Sequence, residues 1–503
     1  MAAKKRLPSP ITILMGVIVV AALATMLIPA GQYNRLSYTE GTTFKLSTKD
    51  TVIDLPFTQR TLDSLQIRIS LDKFQTGSIR KPVSVPGTFQ FIERNRQGLV
   101  DILKAPVKGV HESIEIIFFI LVIGGFMHVF NESGAMVKGL TVLSHRMNGK
   151  ESWLIIILCF LFSFAGSSYG MAEEAFVFYP VMVPLFLAAG YDLLVPVAVI
   201  FAGTQLGTLS SFTNPFSTII ASNAAGVNWS DGLGERIIMF VISTAVTIWY
   251  LVRYANKVKA DPTKSLVYRT DGPVVSPYPS IEPGQVTEAD KQLNLKTKLL
   301  LLLFLATFLV MIAGVVFWEW WLLEMTTLFL GASILLAIIL RLNESVYIRQ
   351  FLTGAESLLS VAIIVGVARG VTIILNDGHI SDTILYYSAK LAGSMPPVLF
   401  IVLMMFLYMM FTLFISSSSG MAVLTMPIMG ALAVLVNVPG REIVNAYLFG
   451  MGIMGFITPT GLVLPSLALV NVSFKAWWRF AYPLMLMLIV VCALCLAIGI
   501  FFK

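Results

Sequence analysis

Apolar runs of membrane-spanning length constrain this chain more than any other feature. Roughly 18 or more consecutive apolar residues with few charges mark a span. Such runs occur at Ile11–Ile28, Ile114–Phe130, Ile237–Val252, Leu299–Phe317, Leu322–Leu340 and Tyr482–Phe502. Further apolar stretches lie within 152–208 and 355–470, where Gly, Pro and Ser interrupt them. Of the 503 residues, 56% are hydrophobic and 13% charged, half the charged share of about a quarter typical of soluble domains. The expected fold class is an all-α polytopic membrane protein.

A net charge of +7 would suggest nucleic acid in a soluble protein. Here the basic residues fall in particular loops, which is a topology signal instead; no nucleic-acid partner is expected. Lys4, Lys5 and Arg6 place the N-terminus in the cytoplasm. The first apolar run is long for a cleaved signal and Pro29-Ala30-Gly31 is a poor cleavage site, so it reads as an uncleaved span. Residues 31–108 then form an extracytoplasmic segment, whose alternating stretches Leu65–Ile69 and Val83–Phe91 suggest short strands. Lys138, Arg146 and Lys150 fall inside. So do Lys257, Lys259, Lys264 and Lys291 in a Pro-rich linker, and Arg341 and Arg349. The Trp-rich turn Phe317–Trp321 suits the outer interface. Cys159, Cys492 and Cys495 all sit in apolar segments and read as packing residues.

Internal repeats sharpen the reading. Val227-Asn228-x-Ser230 with Arg236 recurs as Val470-Asn471-x-Ser473 with Arg479, at an offset of 243. Glu112-Ser113 recurs as Glu356-Ser357 and Gly134 as Gly378, both at 244. Pro215 and Pro459 are also 244 apart, and Gly170-Met171-Ala172 recurs as Gly420-Met421-Ala422 at 250. Arg236 begins a span entering from outside and Arg479 one entering from inside. The expected arrangement is therefore two inverted-topology repeats, as in secondary transporters. The expected segments are a first transmembrane helix (1–30), the extracytoplasmic segment (31–108), repeat 1 (109–255) and a cytoplasmic linker (256–298). Two scaffold helices (299–351) and repeat 2 (352–503) follow.

Such transporters bind solute and ions near the midplane, where helices break. Four related interruptions qualify. Two are serine-rich: Gly166, Ser167, Ser168 and Gly170, and Ser416, Ser417, Ser418, Ser419 and Gly420. Two contain proline: Ser211, Thr213, Asn214 and Pro215, and Thr458, Pro459 and Thr460. The serine clusters suit the tips of re-entrant hairpins; the prolines suit mid-membrane unwinding. Hydroxyls and carbonyls suit Na⁺, and helix N-termini suit a carboxylate. Serine and threonine packing helices is the alternative at any one cluster.

Intramembrane charges are functional candidates. Glu173 and Glu174 could carry a coupling proton or pair with a cationic solute, or could simply favour a helix N-terminus. Arg369 could bind a solute carboxylate, or could pair with Glu356 or Asp377 as scaffold. His111, His128, His145 and His379 show no metal spacing, and no cofactor is expected beyond Na⁺ as coupling ion.

The stretch Ile117–Gly125, the cluster Gly166–Glu174, the Thr213-Asn214-Pro215 element and Pro29–Tyr33 resemble the YfcC-type branch of the C4-dicarboxylate anaerobic carrier family, within the ion transporter superfamily. The resemblance covers nearly the whole chain. It implies scaffold and moving transport domains, elevator-type motion, a homodimer and a bacterial inner-membrane location. The superfamily's Ser-Asn-Thr tips are replaced here by Gly166-Ser167-Ser168 and the Ser416–Ser419 run.

The expected function is Na⁺- or H⁺-coupled secondary transport, by symport or antiport, of a small carboxylate-bearing solute: an amino acid, basic ones included, or a C4-dicarboxylate. A dianion beside Glu173 and Glu174 would be repelled, which favours an amino acid; the family name favours a dicarboxylate. An ion channel would need a repeated filter, and an intramembrane serine hydrolase would need a base beside Ser168 or Ser418; the sequence offers neither. It also has no Walker A loop, and no enzymatic activity is expected.

Overall fold

Lipid offers the backbone no hydrogen bonds, so apolar runs must satisfy their own N–H and C=O groups. The runs do so as helices. The structure, a computed structural model, describes residues 10–38, 41–75, 79, 82–136, 138–139, 142, 151–168, 170–268, 277–278, 294–318, 320, 322–392 and 395–501. Lys4, Lys5, Arg6, His145, Arg146, Lys150, Lys291 and Trp321, on which parts of the topology reading rest, lie outside them. Six described helices are long and apolar enough to cross a membrane. They are Pro10–Leu27, Ile114–Glu132, Leu233–Ala260, Leu322–Leu340, Glu344–Asp377 and Phe474–Gly499.

Helix α1 (Pro10–Leu27) leads into a strand-bearing segment. In it β1 (Gly31–Gln32) pairs antiparallel with β6 (Gln90–Phe91). A four-stranded antiparallel sheet has the order β4 (Val52–Pro56), β3 (Thr43–Ser47), β2 (Arg35–Ser37), β5 (Val83–Ser84). Short helices α2 (Gln59–Ser64) and α3 (Leu71–Gln75) complete it. All-α therefore needs amending for this segment. The expected strand at Leu65–Ile69 is absent: Leu65 caps α2 and Gln66 turns left-handed at φ 55°. The alternation there has another cause, since Ile67 and Ile69 are buried in the main apolar core, as are Phe44 and Phe74, without pairing to a strand.

Helices α4 (Leu99–Glu112) and α5 (Ile114–Glu132) follow, separated only by Ser113. Next come α6 (Glu151–Ser168), a 3₁₀ turn Glu173–Phe178, α7 (Tyr179–Ala188) and α8 (Leu194–Leu209). After an interruption, a π-helical turn Pro215–Ile219 continues into α9 (Ile220–Ala225), then α10 (Leu233–Ala260). Two helices intervene, α11 (Leu295–Trp318) and α12 (Leu322–Leu340). The second series is α13 (Glu344–Asp377), α14 (Ser381–Ala392), α15 (Pro397–Thr412) and α16 (Ser418–Leu435). It ends with α17 (Gly440–Gly455), α18 (Val463–Leu469) and α19 (Phe474–Gly499). Helices α4, α10 and α13 run across the segment limits 108/109, 255/256 and 351/352 read from the sequence.

Small residues let the helices approach closely. A Cβ added to Gly124 would lie 2.5 Å from the Gly354 carbonyl oxygen, and one on Gly370 3.0 Å from that of Ala105. Sequence position rises on α4–α5 as it falls on α13, so the two run antiparallel. On the other flank of α5, Phe126, Phe304, Phe308 and Phe329 interlock with ring centroids 4.6–5.9 Å apart. This second apolar core joins α5, α11 and α12 and also takes in Val177 of the 3₁₀ turn and Leu185 of α7.

Arg369 does not pair with Glu356 or Asp377. Glu356 is about 20 Å and Asp377 about 12 Å along the same helix at 1.5 Å per residue. Antiparallel α4 instead presents Glu112, whose Oε2 accepts from Arg369 Nε at 3.0 Å, while Lys108 takes Asp377 at 2.7 Å.

Candidate functional site

Two helices of opposite direction are interrupted beside each other. Helix α8 begins at Asp192, whose carboxylate accepts from the Leu194 and Val195 N–H groups. Asp192 also accepts from Tyr254 OH, in the last turns of α10, at 2.6 Å. Helix α17 begins at the other end of α10, where Arg441 pairs with Glu235 at 3.0 Å. The two then cross through glycines: Gly452 lies against Leu209, and Gly455 against the side chain of Gln205. Both helices end there, at Leu209 and Gly455.

The first interruption is held to the first serine-rich tip. Asn214 Oδ1 accepts from the Phe216 and Ser217 N–H groups, capping the π-helical turn that Pro215 opens. Its Nδ2 donates to the Gly166 carbonyl at 3.1 Å. Thr213 Oγ1 donates to the Ser168 carbonyl at 2.9 Å, and Ser167 Oγ to the Ser210 carbonyl at 2.7 Å. Ser211 bonds Thr218 at 2.6 Å. Gly170 has φ +88°, and a Cβ there would sit 2.7 Å from Asn214 Oδ1; the turn needs glycine for conformation and for space. Ser168 Oγ returns to the Phe164 carbonyl, the back-bonding common for hydroxyls on helices.

The second interruption uses the same device with different residues. Thr458 Oγ1 donates to the Thr412 carbonyl at 3.0 Å, and Thr460 Oγ1 to the Leu413 carbonyl at 3.2 Å. Thr458 stands 244 residues after Asn214, and each side chain bonds a carbonyl at the end of an earlier helix, α15 and α6. Pro459 is half-exposed between them. In the second tip, Ser417 Oγ accepts from Gly420 N–H. The Ser418 carbonyl accepts from Tyr447 OH at 2.9 Å. Tyr447 was not legible as a site residue, since only the crossing of α17 with α16 brings it there. Residues Ser416 to Gly420 are all half-exposed.

The two acidic residues differ. Glu174 is 4% exposed and accepts from the Ala172 N–H at 2.8 Å, so it closes the start of the 3₁₀ turn. Glu173 is half-exposed. Arg369 is held in its pair with Glu112, one helical turn from Thr372, whose Oγ1 donates to the Phe414 carbonyl just before the second serine cluster. Among the described residues no three His, Cys, Asp or Glu groups converge as metal ligands, and the three cysteines are free.

With this geometry in view, the relatives are informative. Residues 7–501 match the family described as C4-dicarboxylate anaerobic carrier. The chain belongs to that family. A Haemophilus influenzae relative, named only as an uncharacterized protein, is 37% identical over 98% of this chain and 97% of its own. An Escherichia coli relative named "Putative basic amino acid antiporter YfcC" is 29% identical over 95% and 93%. Two solved transporters cover nearly all of both chains at 14% identity. The Alcanivorax borkumensis YdaH transporter has a TM-score of 0.39, with 98% and 99% covered. Neisseria gonorrhoeae MtrF, described among antimetabolite efflux pumps, has 0.40, with 99% and 96% covered. As a member of the carrier family, the chain is a membrane transporter and not an enzyme.

Proposed function

We propose that this carrier is a secondary active transporter for a small carboxylate-bearing solute, coupled to a Na⁺ or H⁺ gradient, working around a site between two inverted repeats. The observation that carries the reading is the meeting of α8 and α17. They begin at opposite ends of α10, run antiparallel and break beside each other. Helices that enter from opposite sides and break at one level leave free backbone groups between them, where solute and ion can bind. The antiparallel packing of α4–α5 on α13 supports the same inverted relation.

In this reading the hairpins α6–α7 and α15–α16 move with the broken helices. Helices α5, α11 and α12 form the scaffold, held by an aromatic core on which Val177 and Leu185 of the first hairpin pack. Ser167, Ser168, Thr213, Ser416, Ser417, Ser418, Ser419, Thr458 and Thr460 bring hydroxyl and carbonyl oxygens to the site, a donor set that suits Na⁺. Glu173, half-exposed beside the first tip, favours a solute carrying an amino group over a dianion. An amino acid is accordingly the favoured solute, in keeping with the name of the Escherichia coli relative. The test is uptake into proteoliposomes of labelled L-arginine, L-lysine, L-aspartate and succinate. Concentrative uptake of an amino acid supports the reading; uptake of none of the four rejects the solute class.

A further inference from the structure

Helix α8 is buried around its circumference save along one line. Phe201, Ala202, Gly203, Thr204, Leu206, Gly207 and Leu209 are buried, whereas Gln205 and Thr208 are half-exposed. Residues three apart share a face of a helix. The line continues past the helix end to Phe212 and Thr213, also half-exposed, in the interruption that grips the first tip. Across from it, Gly455 leaves room for the Gln205 side chain. From Glu442 to Gly455 on α17, only Met454 is half-exposed. Gln205 and Thr208 are thus the accessible positions of α8 where it crosses α17.

Both carry polar groups left unused by the protein. Neither the Gln205 amide nor the Thr208 hydroxyl makes a hydrogen bond among the described residues. Polar groups held deep in protein are hydrogen-bonded as a rule, so an amide and a hydroxyl on one accessible line call for water or a ligand. Together they supply three donor hydrogens from neutral groups, and a carboxylate is a pure acceptor. The corresponding stretch of the second half, Phe449-Gly450-Met451-Gly452 at the offset of 244, offers no side-chain donor. The polar wall is one-sided.

We infer that Gln205, with Thr208, forms part of the solute site and hydrogen-bonds the solute's carboxylate, while Met454 borders its apolar part. This rests on the transport reading above, but its location half can be tested without transport. In a background with Cys159, Cys492 and Cys495 replaced by alanine, Gln205→Cys should react with a membrane-impermeant thiol reagent applied to both faces, and Thr204→Cys one residue away should not. An unreactive Gln205→Cys in a correctly inserted protein overturns the inference. For whichever of L-arginine, L-lysine, L-aspartate or succinate is carried, Gln205→Ala should raise KM about tenfold, the loss expected for one hydrogen bond to a charged group. Vmax should change far less, and Gln205→Asn should fall between. An unchanged KM in Gln205→Ala also overturns it. If none of the four is carried, the proposed solute class fails; the labelling then decides the placement of Gln205 by itself.

Discussion

The Asn214 side chain donates from Nδ2 to the Gly166 carbonyl at 3.1 Å while its Oδ1 caps the turn that follows. One amide thus joins the end of α6 to the π-helical turn that opens at Pro215. Asn214→Ala removes the cap and leaves a buried carbonyl without its partner, at about 1–2 kcal/mol for the cap. We expect the variant to insert and to lose transport. Asn214→Asp keeps the acceptor and loses the donor, so it should retain more thermal stability than Asn214→Ala while still transporting poorly. Size-exclusion profiles, unfolding midpoints and uptake rates separate these outcomes.

Gly170 supplies the same junction with space. Its φ of +88° costs an L-residue roughly 1–2 kcal/mol, and its missing Cβ would crowd Asn214 Oδ1. Gly170→Ala should impair uptake severely, whereas Gly134→Ala, also at positive φ but with open space around it, should be mild. Equal activity of the two variants in uptake assays would remove the role assigned to the tip turn.

One carboxylate of the second half takes three of the bonds that tie the strand segment to it. Asp382 accepts from Arg35 Nη2 with both oxygens, at 2.7 and 2.8 Å, and from the Tyr33 N–H at 2.9 Å. Phe89 stacks on Tyr386 beside them, 4.2 Å between centroids. Asp382→Ala strands a half-buried guanidinium and should cost about 3 kcal/mol, lowering the unfolding midpoint. The exchange Arg35→Asp with Asp382→Arg should recover part of that loss. Equal midpoints for wild type and Asp382→Ala would contradict the anchoring role.

Asp192, in the turn before α8, gives a pH dependence. Burial pushes its carboxyl up, opposed by hydrogen bonds from Ser265, Tyr254, Val195 and Leu194. With the native value raised, the folded state holds the proton more tightly than the unfolded one, whose value is about 3.9. The contribution to stability is thus full below about pH 4 and is lost as pH rises through the native value. Unfolding midpoints followed from pH 4 upward should show this decline, and Asp192→Asn should flatten it. An identical pH slope in Asp192→Asn would sink the assignment.

The sequence makes the helical bundle and its four interruptions legible because lipid permits so few alternatives. Apolar length dictates helices, and Ser, Gly and Pro clusters interrupt the pattern within them. Asn214 and Thr458 stand out for that reason. Partners across the fold are another matter. Glu112 as the mate of Arg369, Tyr447 at the second tip and Gln205 beside Gly455 depend on which helices cross, and no local pattern encodes a crossing. The Leu65–Ile69 alternation misleads because irregular chain laid over an apolar core also buries alternate residues.

Gradient-driven uptake in proteoliposomes tests the central claim most directly. The solute carried in the panel is followed with a Na⁺ gradient and with a pH gradient, imposed separately, for wild type, Asn214→Ala and Thr458→Val. Wild type should accumulate the solute above the external concentration under one of the gradients, and neither variant should. Uptake that only equilibrates whatever gradient is imposed, or normal accumulation by both variants, would contradict a coupled transporter working at the paired breaks.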